Sequence, residues 1–148
     1  MINNGHTAPV LVIEDSPEDF EVLARGFGKA GIMTPLYRCH DGQEALDFVY
    51  GVGKFAKDMS VVRPSLILLD LNMPGIDGFG VLKTIKNHKD LKSIPVIVLS
   101  TSSKPSDVQK CYELGANSYI AKPESLKSYT DMACGLRDYW LNLCKLPL

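Results

Sequence analysis

Three acidic residues, a serine and a lysine stand where they could act together, because each follows a short apolar run. Val10-Leu11-Val12-Ile13 ends in Glu14-Asp15, Leu66-Ile67-Leu68-Leu69 in Asp70, Pro95-Val96-Ile97-Val98-Leu99 in Ser100, and Ser118-Tyr119-Ile120-Ala121 in Lys122-Pro123. Apolar runs this short, bounded by proline, glycine or polar residues, read as buried strands. In an open α/β sheet the carboxyl ends of the strands form the ligand crevice, so these side chains are placed to meet a substrate. Singly, each has a plain structural use: Asp70 as a turn or cap residue, Glu14-Asp15 beside a helix dipole, Ser100 opening a turn, Lys122 on a solvated surface. Packing alone does not require all of them at one sheet edge.

The chemistry open to such a set is phosphoryl transfer. Glu14, Asp15 and Asp70 make an anionic, oxygen-rich pocket suited to Mg²⁺, which keeps several waters and completes its shell with a substrate phosphate. Lys122 offers a point positive charge and Ser100 a hydroxyl donor, both usual partners of phosphate oxygens. A carboxylate is a competent nucleophile toward phosphorus, and Asp70 is the natural acceptor.

The intervening segments read as helices able to hold these strands parallel. Ser16-Pro17-Glu18-Asp19 supplies an N-cap serine, proline at the first helical position and an acid at the third, with Phe20, Leu23 and Phe27 on one face before Gly31. Asp41-Gly42-Gln43-Glu44 is a second capping box, ahead of Ala45, Leu46 and Val49, after a less regular strand near Leu36-Tyr37-Arg38-Cys39. Asp77 can cap a third helix with Val81, Leu82 and Ile85 inward; a fourth starts near 103–105 and carries Val108, Cys111, Tyr112 and Leu114 to Gly115. The last is expected from about Glu124 to Leu143, with Leu126, Tyr129, Ala133, Leu136, Trp140 and Leu143 on the packed face and Met132 and Tyr139 outward. Strict alternation with right-handed crossovers predicts α/β architecture: a doubly wound, five-stranded parallel sheet with helices on both faces.

At 148 residues the chain suits one domain, expected over 9–148 after a polar tail at 1–8. Net charge is −1 with scattered lysines and arginines, which argues against nucleic acid or an anionic membrane surface as partner. Cys39, Cys111, Cys134 and Cys144 show no metal-ligand spacing and read as small core residues in a reducing compartment. Nothing resembles a signal peptide or a membrane span, so a cytoplasmic protein is expected. His6, His40 and His88 stand alone in the sequence and read as structural; Gly75, Gly78 and Met73-Pro74 shape the turn after Asp70.

The acidic pair Glu14-Asp15, the segment Asp70-Leu-Asn-Met-Pro-Gly-x-Asp-Gly78, the Ser100 hydroxyl, Gly115-Ala116-Asn117-Ser118-Tyr119 and Lys122-Pro123 together resemble the receiver domains of two-component response regulators, over nearly the whole chain. That resemblance implies a flavodoxin-like strand order of 2-1-3-4-5 and an aspartyl phosphate on Asp70 donated by a sensor histidine kinase. It implies Mg²⁺ on Asp15, Asp70 and the main-chain carbonyl of Asn72, with Glu14 holding a water of the metal, and a conformational readout through Ser100 and Tyr119. Enzymatic turnover is not expected beyond Mg²⁺-dependent self-phosphorylation and self-dephosphorylation. The long connection Gly51–Pro64 and the ending Asp138-Tyr139-Trp140-Leu141-Asn142-Leu143-Cys144-Lys145-Leu146-Pro147 resemble the stand-alone regulators paired with cyanobacterial and bacterial phytochromes. Such relatives imply a phytochrome as kinase and a homodimer on the face made by the fourth helix, fifth strand and fifth helix.

Two rival classes fit less well. A haloacid-dehalogenase-type phosphatase also forms an aspartyl phosphate, but it resembles a DxD pattern whose second acid is the general acid, and that position is Asn72. A nucleotide-binding module needs a glycine-rich first turn, whereas Glu14-Asp15-Ser16-Pro17 repels phosphates.

Overall fold

A computed structural model describes residues 8–56 and 63–147. Residues 57–62 of the Gly51–Pro64 connection and residues 1–7 of the polar tail, with His6, lie outside the described residues. The strands are β1 (Val10–Ile13), β2 (Leu36–Cys39), β3 (Leu66–Asp70), β4 (Val96–Ser100) and β5 (Ser118–Ala121). The helices are α1 (Pro17–Lys29), α2 (Gly42–Tyr50), α3 (Gly78–Asn87), α4 (Pro105–Glu113) and α5 (Leu126–Leu136), with a 3-10 turn at Gly53–Phe55 after α2. All strand pairs are parallel, in the order β2-β1-β3-β4-β5, which is the doubly wound topology expected.

Alternation along each strand divides the core in two. Leu11, Ile13, Ile67, Leu69, Val96 and Val98 pack under α2, α3 and α4, against Ala45, Phe48, Val81, Ile85 and Cys111. Val10, Val12, Leu66, Leu68, Ile97 and Leu99 face α1 and α5, against Leu23, Phe27, Tyr129, Ala133 and Leu136. Because the inner strands are covered on both faces, they are unbroken apolar runs, which is why they stand out in the sequence.

The helix starts follow their capping residues. Ser16 accepts from the Asp19 amide, Asp41 from Glu44 and Asp77 from Gly80. The second capping box closes differently from its usual form: Glu44 reaches the amide of His40, one residue before the cap. His40 also places Nδ1 2.7 Å from Glu44 Oε2, so its isolation in the sequence does not persist in the fold. His88 likewise accepts from the Asp90 amide and packs at a tilt against Tyr50 with ring centroids 5.1 Å apart.

The C-terminal segment departs from expectation. Regular α-helix ends at Leu136, and Arg137–Leu143 continue as a π-helix, closed by the Cys144 amide on the Tyr139 carbonyl at 2.8 Å. A π-turn spaces its hydrogen bonds five residues apart, so the three- and four-residue stripe cannot continue through it. Leu143, expected on the packed face, is 73 % exposed, while Met132, expected outward, packs partly buried over the α1–α5 core. Tyr139 is outward as expected, and in α4 Cys111 is buried while Tyr112 is half exposed.

Candidate functional site

Register brings the acidic residues together. Ile13 pairs with Leu69 across β1 and β3, so the next positions, Glu14 and Asp70, lie side by side at the carboxyl edge. Alternation puts both in phase with Val10, Val12, Leu66 and Leu68, on the side that faces α1 and α5. Carboxylate oxygens of Glu14, Asp15 and Asp70 lie within 4.8 Å of one another, with Glu14 and Asp70 buried and Asp15 exposed. Beneath them, Leu23, Leu68, Leu99 and Tyr129 form an apolar floor.

The chain after Asp70 is folded tightly back. Asp70 Oδ1 accepts from the Asn72 amide at 3.1 Å, leaving the Asn72 side chain exposed, and the Gly78 amide donates to the Leu71 carbonyl at 3.0 Å. Gly75 takes φ +76°, a conformation glycine adopts without strain. Gly78 is needed for a different reason: a Cβ there would lie 2.5 Å from both the Asp70 carbonyl oxygen and Leu71 Cα.

Lys122 follows β5 directly, and its amide donates to the Ser100 carbonyl at 2.8 Å, which keeps it beside the end of β4. Its ammonium reaches Glu14 Oε1 and Oε2 at 3.0 and 3.2 Å, Asp19 Oδ2 at 2.8 Å and Asp70 Oδ2 at 3.3 Å. Burial pushes Glu14 up to about 8, with the Asp70 carboxylate adding to the effect and Lys122 opposing it. The Lys122 hydrogen bond holds Asp19 below the usual carboxylate value. Burial works against the Lys122 charge, but its bonds to Asp19 and Glu14, with Asp70 nearby, outweigh it and hold its pKa above the ordinary range.

Two further residues buttress the crevice. Arg38 of β2 donates from Nε to the Glu14 carbonyl and from Nη2 to the Asp15 carbonyl, each at 3.0 Å, so one planar fork fixes both peptides of the acidic turn. Ser100 is fully buried, and its Oγ accepts from the Ser102 amide at 3.1 Å. Ser102 in turn donates from Oγ to Asp107 Oδ2 at 2.6 Å, accepts from the Lys104 amide at 3.2 Å, and accepts the Tyr119 hydroxyl on its carbonyl at 2.8 Å. Tyr119 is therefore half-buried and tied to the loop after β4.

Glu14, Asp15, Asp70 and Lys122 thus converge, while Ser100, Tyr119 and Asn72 flank them on adjoining strand ends and turns. Asp19, Arg38 and Ser102 were not singled out as site residues. Asp19 is the acid at the third position of α1, one turn past the acidic pair, which points to it; Arg38 acts on main-chain carbonyls, and Ser102 through Asp107 and main-chain groups of its own loop and Tyr119, and neither leaves such a mark. The cluster Glu14, Asp15 and Asp70 offers carboxylate oxygens, the hard donors that Mg²⁺ and Mn²⁺ prefer, so a divalent cation fits it.

The response regulator receiver domain model matches residues 10–133. The response regulator Rcp1 of Synechocystis is 39 % identical over 138 residues, covering 93 % of this chain and 92 % of that protein. The structure of the Mn²⁺-bound form of Rcp1 matches with a TM-score of 0.85 at 38 % identity, covering 95 % of this chain and 99 % of that one. The phosphorylated cyanobacterial phytochrome response regulator RcpA matches at 0.87 and 34 % identity, with the same coverage. These matches are to response regulators and do not support the phosphatase alternative. With its strand order, its acidic edge and these likenesses in agreement, the chain belongs to the response regulator receiver family, and its relatives include regulators associated with phytochromes.

Proposed function

We propose that Asp70 is the phosphoacceptor of a signalling switch. The observation that carries this reading is a buried Asp70 whose Oδ1 is engaged by the Asn72 amide and whose Oδ2 lies 3.3 Å from the Lys122 ammonium. An Asp70 oxygen attacks phosphorus and forms an O–P bond as the N–P bond of a phosphohistidine breaks; the departing imidazole nitrogen takes its proton from solvent. A small acyl phosphate serves equally, with its carboxylate leaving. Asp15 and Asp70, with the main-chain carbonyl of Asn72, would hold Mg²⁺, and Glu14 would hold a water of the metal, which when bound supplies positive charge to the phosphoryl oxygens. Lys122 neutralises a phosphoryl oxygen, and the Ser100 hydroxyl donates to another. Arg38 holds the acidic turn still. Self-dephosphorylation is the only turnover in this reading.

The donor is a sensor histidine kinase of phytochrome type, on the strength of the relatives' association with phytochromes. Output is a contact between proteins: Ser100 and Tyr119 shift a two-state equilibrium that favours a homodimer through α4, β5 and α5. The setting is the cytoplasm; no helix among the described residues is long and apolar enough to cross a membrane.

Intact mass spectrometry after incubation with acetyl phosphate tests the assignment. Wild type gains one phosphoryl mass with Mg²⁺ and none with a chelator, and Asp70→Asn gains none. Phosphoryl mass on Asp70→Asn under the same conditions would overturn it.

A further inference from the structure

Lys122 has three N–H donors, and all are committed to carboxylates: Glu14, Asp19 and Asp70. The shortest of these contacts, 2.8 Å, goes to Asp19, not to Asp70 at 3.3 Å. A phosphoryl group on Asp70 brings new anionic oxygens that need that ammonium, so one existing partner must yield. The three carboxylates differ in what yielding costs. The Glu14 and Asp70 side chains are 6 % and 4 % exposed, and an unpaired carboxylate there would be desolvated. Asp19 is 43 % exposed and stands in the first turn of α1, where water can replace the ammonium and the helix N-terminus favours a negative charge.

We propose that Asp19 is a positioning residue for the phosphoryl site, holding one hydrogen of the Lys122 ammonium in the resting protein and releasing it when Asp70 is loaded. The proposal rests on the phosphoacceptor reading of Asp70. Its consequence is competition: Asp19 and the phosphoryl oxygens share one cation, so Asp19 sets how readily the site fills. Its carboxylate also adds like charge beside an arriving phosphate. The α1 cap does not depend on the Asp19 side chain, since Ser16 Oγ accepts from the Asp19 main-chain amide, so Asp19→Asn keeps that bond.

Beryllofluoride, a tetrahedral stand-in for a carboxyl-bound phosphoryl group, reports loading directly through the ¹⁹F resonance of its bound form, with Mg²⁺ constant. Asp19→Asn is expected to lower the half-saturating beryllofluoride concentration about three- to fivefold, the scale of losing one partly exposed ion pair. Asp19→Glu, which restores the charge, should return most of the way to wild type. In uniformly ¹³C-labelled wild type, the Asp19 Cγ resonance, assigned by its loss in Asp19→Asn, should move as beryllofluoride binds. An unchanged midpoint in Asp19→Asn, a Glu variant that behaves like Asn, or a stationary Asp19 resonance would each overturn the proposal. Wild type that binds no beryllofluoride would overturn the Asp70 reading itself and this inference with it, a result distinct from normal binding that ignores Asp19.

Discussion

At the scale of single residues, charge is handled by pairing, and Glu44 in the first turn of α2 shows the principle away from the phosphoryl site. Burial works to raise its pKa, but the Lys54 ammonium at 2.9 Å and the hydrogen bonds from His40 outweigh that and lower it from 4.5 to about 2. A carboxyl whose folded pKa lies below its unfolded value stabilises the fold above the unfolded value and loses that contribution as pH falls toward the folded one. Glu44→Gln should therefore flatten the loss of thermal stability between about pH 4.5 and pH 2; superimposable acid limbs in variant and wild type would contradict this. Residues of this kind were only partly legible. Glu14, Asp15, Asp70, Ser100 and Lys122 could be read because a strand end is marked by the apolar run before it. His40 and Arg38 could not, since the first depends on how the capping box closes and the second bonds a carbonyl 24 positions away.

Elements position the site through close backbone approach as much as through side chains. Gly78 begins α3 where the chain passes over the end of β3, and any Cβ would press on main-chain atoms of Asp70 and Leu71. Gly78→Ala should cost about 1–3 kcal/mol, the usual range for overpacking, and displace the Asp70 loop. Gly135→Ala in α5, where a Cβ meets nothing within 4 Å, should instead gain about 0.5–1 kcal/mol from helix propensity. Urea midpoints decide both, and equal midpoints for the two variants would refute the argument. β1 and β3 match the runs read from sequence, because strands buried on both faces impose an unbroken local pattern, whereas the edge strands β2 and β5 are only partly buried and their runs are less regular. The end of α5 does not match, because the local spacing of apolar residues cannot reveal where a helix changes its hydrogen-bond step.

For the whole molecule, the layer arrangement followed from alternation plus handedness, while the strand order was implied by resemblance alone. The site followed because a doubly wound sheet sends its strand ends to one edge. Association was harder to read, since it concerns what remains outside after folding. The outward aromatics at Tyr112 and Tyr139, about half exposed, give α4 and the end of the C-terminal helix contact surface of a kind enriched at interfaces. Sedimentation over a concentration series should show a dimer that tightens on phosphorylation, and a strict monomer in both states at high concentration would exclude it. The Ser102 loop gives that coupling a form. A hydroxyl can accept and donate together, so Ser100 can aim its hydrogen at a phosphoryl oxygen without dropping the Ser102 amide. The loop would then be towed rather than cut loose. Because Ser102 is bonded to both Asp107 and Tyr119, one small displacement would arrive at α4 and β5 as a single event, with no relay between them.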